Sequence, residues 1–266
     1  VDVITDYDHM LTEGQLADYP FATKPPGTLA FFVLCARLAN LLQISGTNLE
    51  QLTTFATLLF PAFSYLALVP LFLLCRQYVG TKEAWVPCCL YISLPNVVLM
   101  NMHLDQFLLP QLGLWFVLAI VVAHRRGSAL VGVLSGALLY LCSFVSFSLI
   151  AMAAMGSVVL LERSSGRSKP TRTLAYSILG FAGSYSLLYA IADYSAVERF
   201  LAAVGRHSQW KVESWGIFGI AYFAILNTVE FALWCGLPVA VLAGAEMYRS
   251  ARSFCPDRSA TGESPL

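Results

Sequence analysis

The chain has 266 residues, of which 58% are hydrophobic and only 12% charged, and its mean hydropathy is +0.67. A soluble domain carries about 25% charge, so soluble readings are excluded in favour of an all-α, polytopic helical membrane protein. The formal net charge is zero, which implies no bulk attraction to nucleic acid.

The first 27 residues are polar and end in Tyr19-Pro20-Phe21-Ala22-Thr23-Lys24-Pro25-Pro26-Gly27. With no basic start and no apolar run, this stretch is not read as a signal peptide. The two prolines fix φ and disfavour helix at the residue before each of them, so Lys24 is expected on a stiff, extended strip at the mouth of a membrane domain. Thr28 to Ile44 follows, 17 residues with Arg37, Asn40 and Gln43 spaced three apart. A spanning helix wants about 20 apolar residues, so this one is expected to lie on or dip into the membrane surface.

Thr53 to Cys75 reads as the first span, with kinks at Pro61 and Pro70. Ala84 to Met100 reads as the next, followed by a tight polar turn, Asn101-Met102-His103-Leu104-Asp105, and a span from Gln106 to Ala123 that ends in His124-Arg125-Arg126-Gly127. Ser128 to Leu161 is 34 residues without a charge. As one helix it would be about 51 Å long against a core of about 30 Å, so it must fold back, and Ser143 to Ser148 is the predicted break. Glu162 to Arg172 is a basic linker, Thr173 to Ala192 a span, and Phe231 to Tyr248 the last span. The domain is thus expected to cover 1–248 as one unit: outer loop and interfacial helix over 1–52, helices over 53–192, an outer loop over 193–230 with an apolar piece at Trp215 to Leu226, and a final helix over 231–248. A polar tail occupies 249–266. The whole amounts to about seven transmembrane helices plus interfacial ones.

Orientation follows from the basic residues. One set of loops holds Arg76, Lys82, Arg125, Arg126, Arg163, Arg167, Lys169, Arg172, Arg249, Arg252 and Arg258; the other holds Lys24, Arg37, Arg199, Arg206 and Lys211. The first set is therefore expected on the cytoplasmic side. Residues 1–52, 101–105 and 193–230 then face the opposite side, which carries most of the acids. The seven cysteines form no CxxC pair, and all but Cys255 lie in apolar runs, where they read as small buried residues.

Candidate chemistry gathers on the outer face. Asp6 and Asp8 flank Tyr7 and could supply a general base with a second carboxylate for orientation or metal; the plain alternative is a solvated acidic loop. Asp105, two residues after His103, could be catalytic or simply favour a helix start. The pair could also hold a divalent cation, although two ligands are too few to assert a site. Lys24 could meet a phosphate, or snorkel to the interface. Arg206, His207 and Lys211 could meet an anionic head group, or form an ordinary solvated face. No G-x-S-x-G, Walker loop or H-E-x-x-H occurs.

The order of an acidic outer loop, Tyr-Pro-Phe-Ala-Thr-Lys-Pro-Pro-Gly, interfacial helix, span, basic turn, Leu94-Pro95 and His103-Leu104-Asp105 resembles the GT-C membrane glycosyltransferases. The branch it is most similar to holds the bacterial members akin to protein O-mannosyltransferases and lipid A aminoarabinose transferase. The stretch with Asn227, Glu230-Phe231 and Gly236-Leu237-Pro238 is similar to that family's last outer loop and following helix. The resemblance covers residues 6 to 248 and is carried by order and hydropathy, with Lys-Pro-Pro its most specific motif. It implies an inverting transfer of a sugar from a polyprenyl-phosphate-linked donor to a lipid, glycan or protein acceptor. The transfer would take place on the periplasmic or lumenal face of a bacterial inner membrane or an ER-type membrane. Asp6 matches the acid of the family's first outer loop, Lys24 the lysine that meets the lipid phosphate, and Asp105 the acid of the second outer loop. Two departures stand out. The family often has an adjacent Asp-Glu pair where this chain has Asp6 and Asp8, and it places a transmembrane helix before the first loop, whereas this chain begins after that point. Two rival readings remain at the level of sequence: a transporter or lipid flippase, which should carry ionisable residues at mid-membrane, and a non-catalytic, truncated paralogue.

Overall fold

The computed structural model describes residues 4, 7, 24–44, 46–100, 103–161 and 169–254. Every regular element among them is helical. In chain order they are α1 (Gly27–Leu41), α2 (Asn48–Leu66), α3 (Leu68–Cys75), α4 (Trp85–Ile92), α5 (Pro95–Leu99), α6 (Leu104–Arg126), α7 (Ala129–Val145), a 3₁₀ turn (Phe147–Ala151), α8 (Met152–Leu161), α9 (Pro170–Ala192), α10 (Ala196–Trp234) and α11 (Leu237–Phe254). Among the described residues three stretches are long and apolar enough to cross a membrane: Leu49–Cys75, Phe107–Arg126 and Pro170–Ala192. A fourth exists if the two halves of α10 form one span.

That number is lower than about seven for local reasons. The residue before a proline is pushed to extended backbone, and Leu94 adopts φ −66°, ψ 129°, so Ala84–Met100 divides into two short helices and is not one span. Ala129–Val145 and Gly27–Leu41 are apolar but short. α11 extends through Phe254 and carries Glu246, Arg249 and Arg252, which dilute its apolar character. Residues 193–230, expected as a loop, are almost wholly helical: α10 runs from Ala196 to Trp234 and bends by 103° at Gly216. The Gly216 backbone (φ 63°, ψ 177°) lies where essentially only glycine goes.

Other sequence signals hold. α2 starts five residues before the expected span because Thr47 and Glu50 form a reciprocal cap: the Glu50 N–H donates to Thr47 Oγ1 and the Thr47 N–H to Glu50 Oε2 at 2.8 Å. The break between α2 and α3 falls at Ala67, just after Leu66, whose carbonyl Pro70 cannot satisfy and its ring crowds. Gly127 closes α6 in the left-handed conformation that the Arg125-Arg126-Gly127 ending predicts. The long uncharged run folds back at Ser146, which is extended at φ −153°, ψ 126°.

α6, α7 and α9 form the centre, with α8 returning beside α6. In lipid no hydrophobic force distinguishes one apolar neighbour from another, so small residues and close packing decide. α7 and α9 run parallel and meet through Gly132, Gly136 and Gly180. A Cβ on Gly136 would overlap the Ser177 carbonyl, and one on Gly180 the Val133 carbonyl. The Ser135 and Ser177 hydroxyls bond each other at 2.6 Å within this seam. An aromatic cluster joins α1, α2 and α6, with ring centroids 5.6 Å apart for Phe31 and Phe107 and 4.3 Å for Phe60 and Phe107.

These contacts give the bundle two unlike ends. At one, Arg125 donates to the Gln77 carbonyl and lies 4.7 Å from the Tyr78 ring centroid, beside the α6–α7 turn. At the other, the starts of α1 and α6 meet the end of α7, and the start of α10 follows the end of α9.

Candidate functional site

The Lys-Pro-Pro-Gly strip is fastened at this second end. Pro25 and Pro26 are buried, and Pro26 precedes the first helical residue, Gly27. Thr28 Oγ1 donates to the Val145 carbonyl at 2.9 Å. Gly27 lies against the Phe144 backbone, where a Cβ would overlap the Phe144 carbonyl. The strip therefore enters helix one residue earlier than expected, and only a glycine allows it to seat on the last turn of α7.

Lys24 borders a cavity of about 420 Å³. Its polar rim is Lys24, His207, Ser146, Ser148 and Ser208, and its apolar wall includes Phe147, Phe200 and Val204. The Ser146 and Ser148 hydroxyls bond each other at 2.8 Å. Phe147 and Phe200 also line a second cavity of about 190 Å³ with Ile150, Phe181, Tyr185 and Val197. Ile150 and Phe181 in turn line a third, of about 310 Å³, walled by apolar side chains of α6, α8 and α9 such as Ile120, Ala153 and Ile178. Shared side chains thus place the polar-rimmed cavity next to two mainly apolar ones along the bundle. The polar part offers an ammonium, an imidazole and three hydroxyls, a donor set suited to an anionic oxygen cluster. The two further cavities offer mainly hydrocarbon contact, with Ser143, Tyr185, Ser157 and Ser177 also in their linings.

Two other residues bear on Lys24. Arg199, in the first turn of α10 and only 4% exposed, donates from Nε and Nη2 to the Lys24 carbonyl at 3.4 Å each. Tyr7, 1% exposed, donates its hydroxyl to the same oxygen at 3.1 Å, and its ring centroid lies 5.3 Å from the Arg199 guanidinium. Tyr7 is thereby tied to the Lys24 strip.

Of the residues the sequence singled out, Lys24 and His207 share the cavity. Arg206 is exposed and Lys211 half-buried, and neither lines it. His103 is exposed at the N-cap of α6 and makes no side-chain capping bond. Asp105 lies in the first turn of α6, where a helix dipole favours an acid; its side chain, like Asp6 and Asp8, lies outside the described residues. Phe107, two residues further on, packs on Phe31 of α1, so this end of α6 adjoins the helix that starts at Gly27. Among the described residues no three His, Cys, Asp or Glu side chains come together as metal ligands.

Sequence reasoning did not single out Arg199 as a functional residue. Its signal is the helical register: with 196–216 read as helix, Arg199, Ala203 and His207 fall four apart on one face. No family model, curated protein or solved structure matches this chain.

Proposed function

We propose that this chain belongs to a GT-C-like membrane glycosyltransferase that moves a sugar from a polyprenyl-phosphate-linked donor to an acceptor on the non-cytoplasmic face. The observation that carries the proposal is the polar-rimmed cavity at Lys24 and His207, with two mainly apolar cavities adjoining it through the shared side chains Phe147, Phe200, Ile150 and Phe181. An amphiphile with a phosphate head and a long apolar chain matches both parts at once, and neither a soluble sugar nor a simple ion uses the apolar cavities. The tie from Tyr7 to the Lys24 carbonyl supports the same reading, because the two acids of the first loop are the sequence neighbours of Tyr7.

In the proposed reaction Asp6, or Asp8, takes the acceptor hydroxyl proton as that oxygen attacks the anomeric carbon. The bond from that carbon to the phosphate oxygen breaks in the same displacement, which inverts the centre. Lys24 and His207 stabilise the negative charge that grows on the leaving phosphate; fixed donors aimed at developing charge are the largest usual contribution to such a step. Asp105 orients the acceptor.

The test is sugar transfer in proteoliposomes holding the complete reading frame and a polyprenyl-phosphate-linked sugar. Product with inverted configuration that disappears in the Asp6→Asn and Lys24→Ala forms supports the proposal. Movement of the lipid or sugar across the bilayer with no glycosidic bond formed supports the transporter reading instead, and neither activity supports a non-catalytic copy.

A further inference from the structure

We propose that Arg199 is a positioning residue that fixes the direction of Lys24 by clamping its main-chain carbonyl. The inference rests on the proposed function only in taking an anionic oxygen cluster as the partner of Lys24; the clamp itself is a property of the fold.

A guanidinium buried to this degree is costly unless its donors find acceptors. Arg199 spends two of its five donors on one oxygen that lies 175 residues away in sequence, with the Tyr7 hydroxyl as a third donor to the same carbonyl. That carbonyl belongs to the residue before Pro25, which the proline ring already confines to a narrow backbone range. Holding the oxygen fixes the Lys24 ψ and with it the base from which the side chain enters the cavity. The other side of the clamp is equally set. Ser195 caps α10 by accepting from the Glu198 N–H, and the Arg199 N–H donates to the Ser195 carbonyl at 3.0 Å. The next residues of this helix, Phe200, Ala203 and His207, wall the cavity. Arg199 thus locks the α10 wall, which bears the imidazole, to the strip that bears the ammonium, and Tyr7 joins the same junction. The planar fork is what this requires: a lysine at 199 would offer a point charge and could not reach one oxygen with two fixed donors.

The experiment reads the Lys24 amine itself. The complete protein in detergent micelles is treated with an amine-acylating reagent, and labelling of Lys24 is followed by peptide mass spectrometry against the exposed Lys82 and Lys169 in the same chain. Arg199→Ala is expected to raise the relative acylation of Lys24 by about threefold or more, a modest consequence of losing hydrogen bonds from a charged group. Arg199→Lys should fall between the two. Dodecyl phosphate should protect Lys24 in the parent, and about tenfold more of it should be needed in Arg199→Ala. In a Lys24→Ala background the affinity for dodecyl phosphate should not change further on adding Arg199→Ala, which separates positioning from a general loss of structure. Should Arg199→Ala not fold, Tyr7→Phe removes one donor to the same carbonyl and should show the same change in smaller measure. A folded Arg199→Ala or Tyr7→Phe protein with unchanged Lys24 labelling overturns the inference. A parent protein that shows the labelling changes but forms no glycosidic bond would overturn the proposed function and leave the clamp standing.

Discussion

Gly27 and the Phe144 carbonyl lie so close that no side chain fits between them. The contact joins the first helical residue after Lys-Pro-Pro to the final turn of α7, and the Thr28 hydroxyl bond to Val145 continues it. Gly27→Ala should therefore lift the strip or shift α7, at a cost of about 1–3 kcal/mol, the usual range for overpacking. Thermal unfolding in detergent measures it. An unchanged midpoint together with unchanged activity would show that the strip is not seated there.

Lys24→Ala should weaken use of the lipid-phosphate donor and leave the fold intact, because Lys24 is half-exposed at the cavity rim while the prolines beside it make the packing. A charge-assisted contact is worth roughly 1.5–3 kcal/mol, or about 10- to 150-fold. Normal turnover at limiting donor by the complete enzyme would remove Lys24 from the phosphate site.

Asp6→Asn keeps the shape of the residue and removes the base. Turnover should fall by about 10²-fold or more, the usual order for a general base. Asp105→Asn should act more on acceptor KM than on kcat. A single-turnover assay with saturating acceptor separates the two effects, and a full rate for Asp6→Asn would transfer the role to Asp8 or end it.

Cysteines introduced near Asp18 and Gly205 should react with an impermeant maleimide from outside, and one near Ser165 should not. The motive is the eleven-to-five division of basic residues between the two sets of loops. Labelling of positions 18 and 165 from one side would invert the proposed active face.

The α7–α9 seam supplies a stability prediction independent of function. Gly136→Leu should prevent the helices from meeting, because even one carbon at this position overlaps the Ser177 carbonyl. Ser177→Ala removes the bond to Ser135 and should cost only about 0.6–2 kcal/mol, as interhelical hydrogen bonds in lipid usually do. Folded yield after mild solubilisation and the unfolding midpoint would rank the two.

Local chemistry made much of this fold legible. The fold-back near Ser146 follows from length alone, since 34 uncharged residues cannot cross a bilayer as one helix. The end of α6 follows from Arg125-Arg126-Gly127, and the shortness of α1 from its residue count. The charges at Arg199, Arg206, Lys211 and Glu213 argued for a loop, and tertiary context overrode them: all four sit on α10, whose Arg199–Ala203–His207 face meets the Lys24 strip and its cavity. The Ala84–Met100 stretch misled in the opposite way, because hydropathy counts apolar residues and takes no account of Leu94-Pro95. Of the candidate site, Lys24 and His207 could be named from residue type, but their meeting at one cavity depends on contacts 183 residues apart in sequence. Arg199 stayed hidden because burial of a cation is decided by neighbours that no local pattern specifies.

The extended residue Ser146 has a consequence for water. A backbone that leaves the helix inside an apolar run must satisfy its amides and carbonyls elsewhere, and within a bilayer that is tolerated only against protein or beside an aqueous recess. Here the break lies at the polar rim of the cavity at Lys24, with the hydroxyls of Ser146 and Ser148 bonded to each other. The discontinuity in the chain thus sets two hydroxyls at the rim of the cavity, at the end of the bundle where the Lys24 strip is fastened. Under the proposed function, a charged head group would meet these hydroxyls beside Lys24, and its chain would lie against the apolar side chains of the neighbouring cavities.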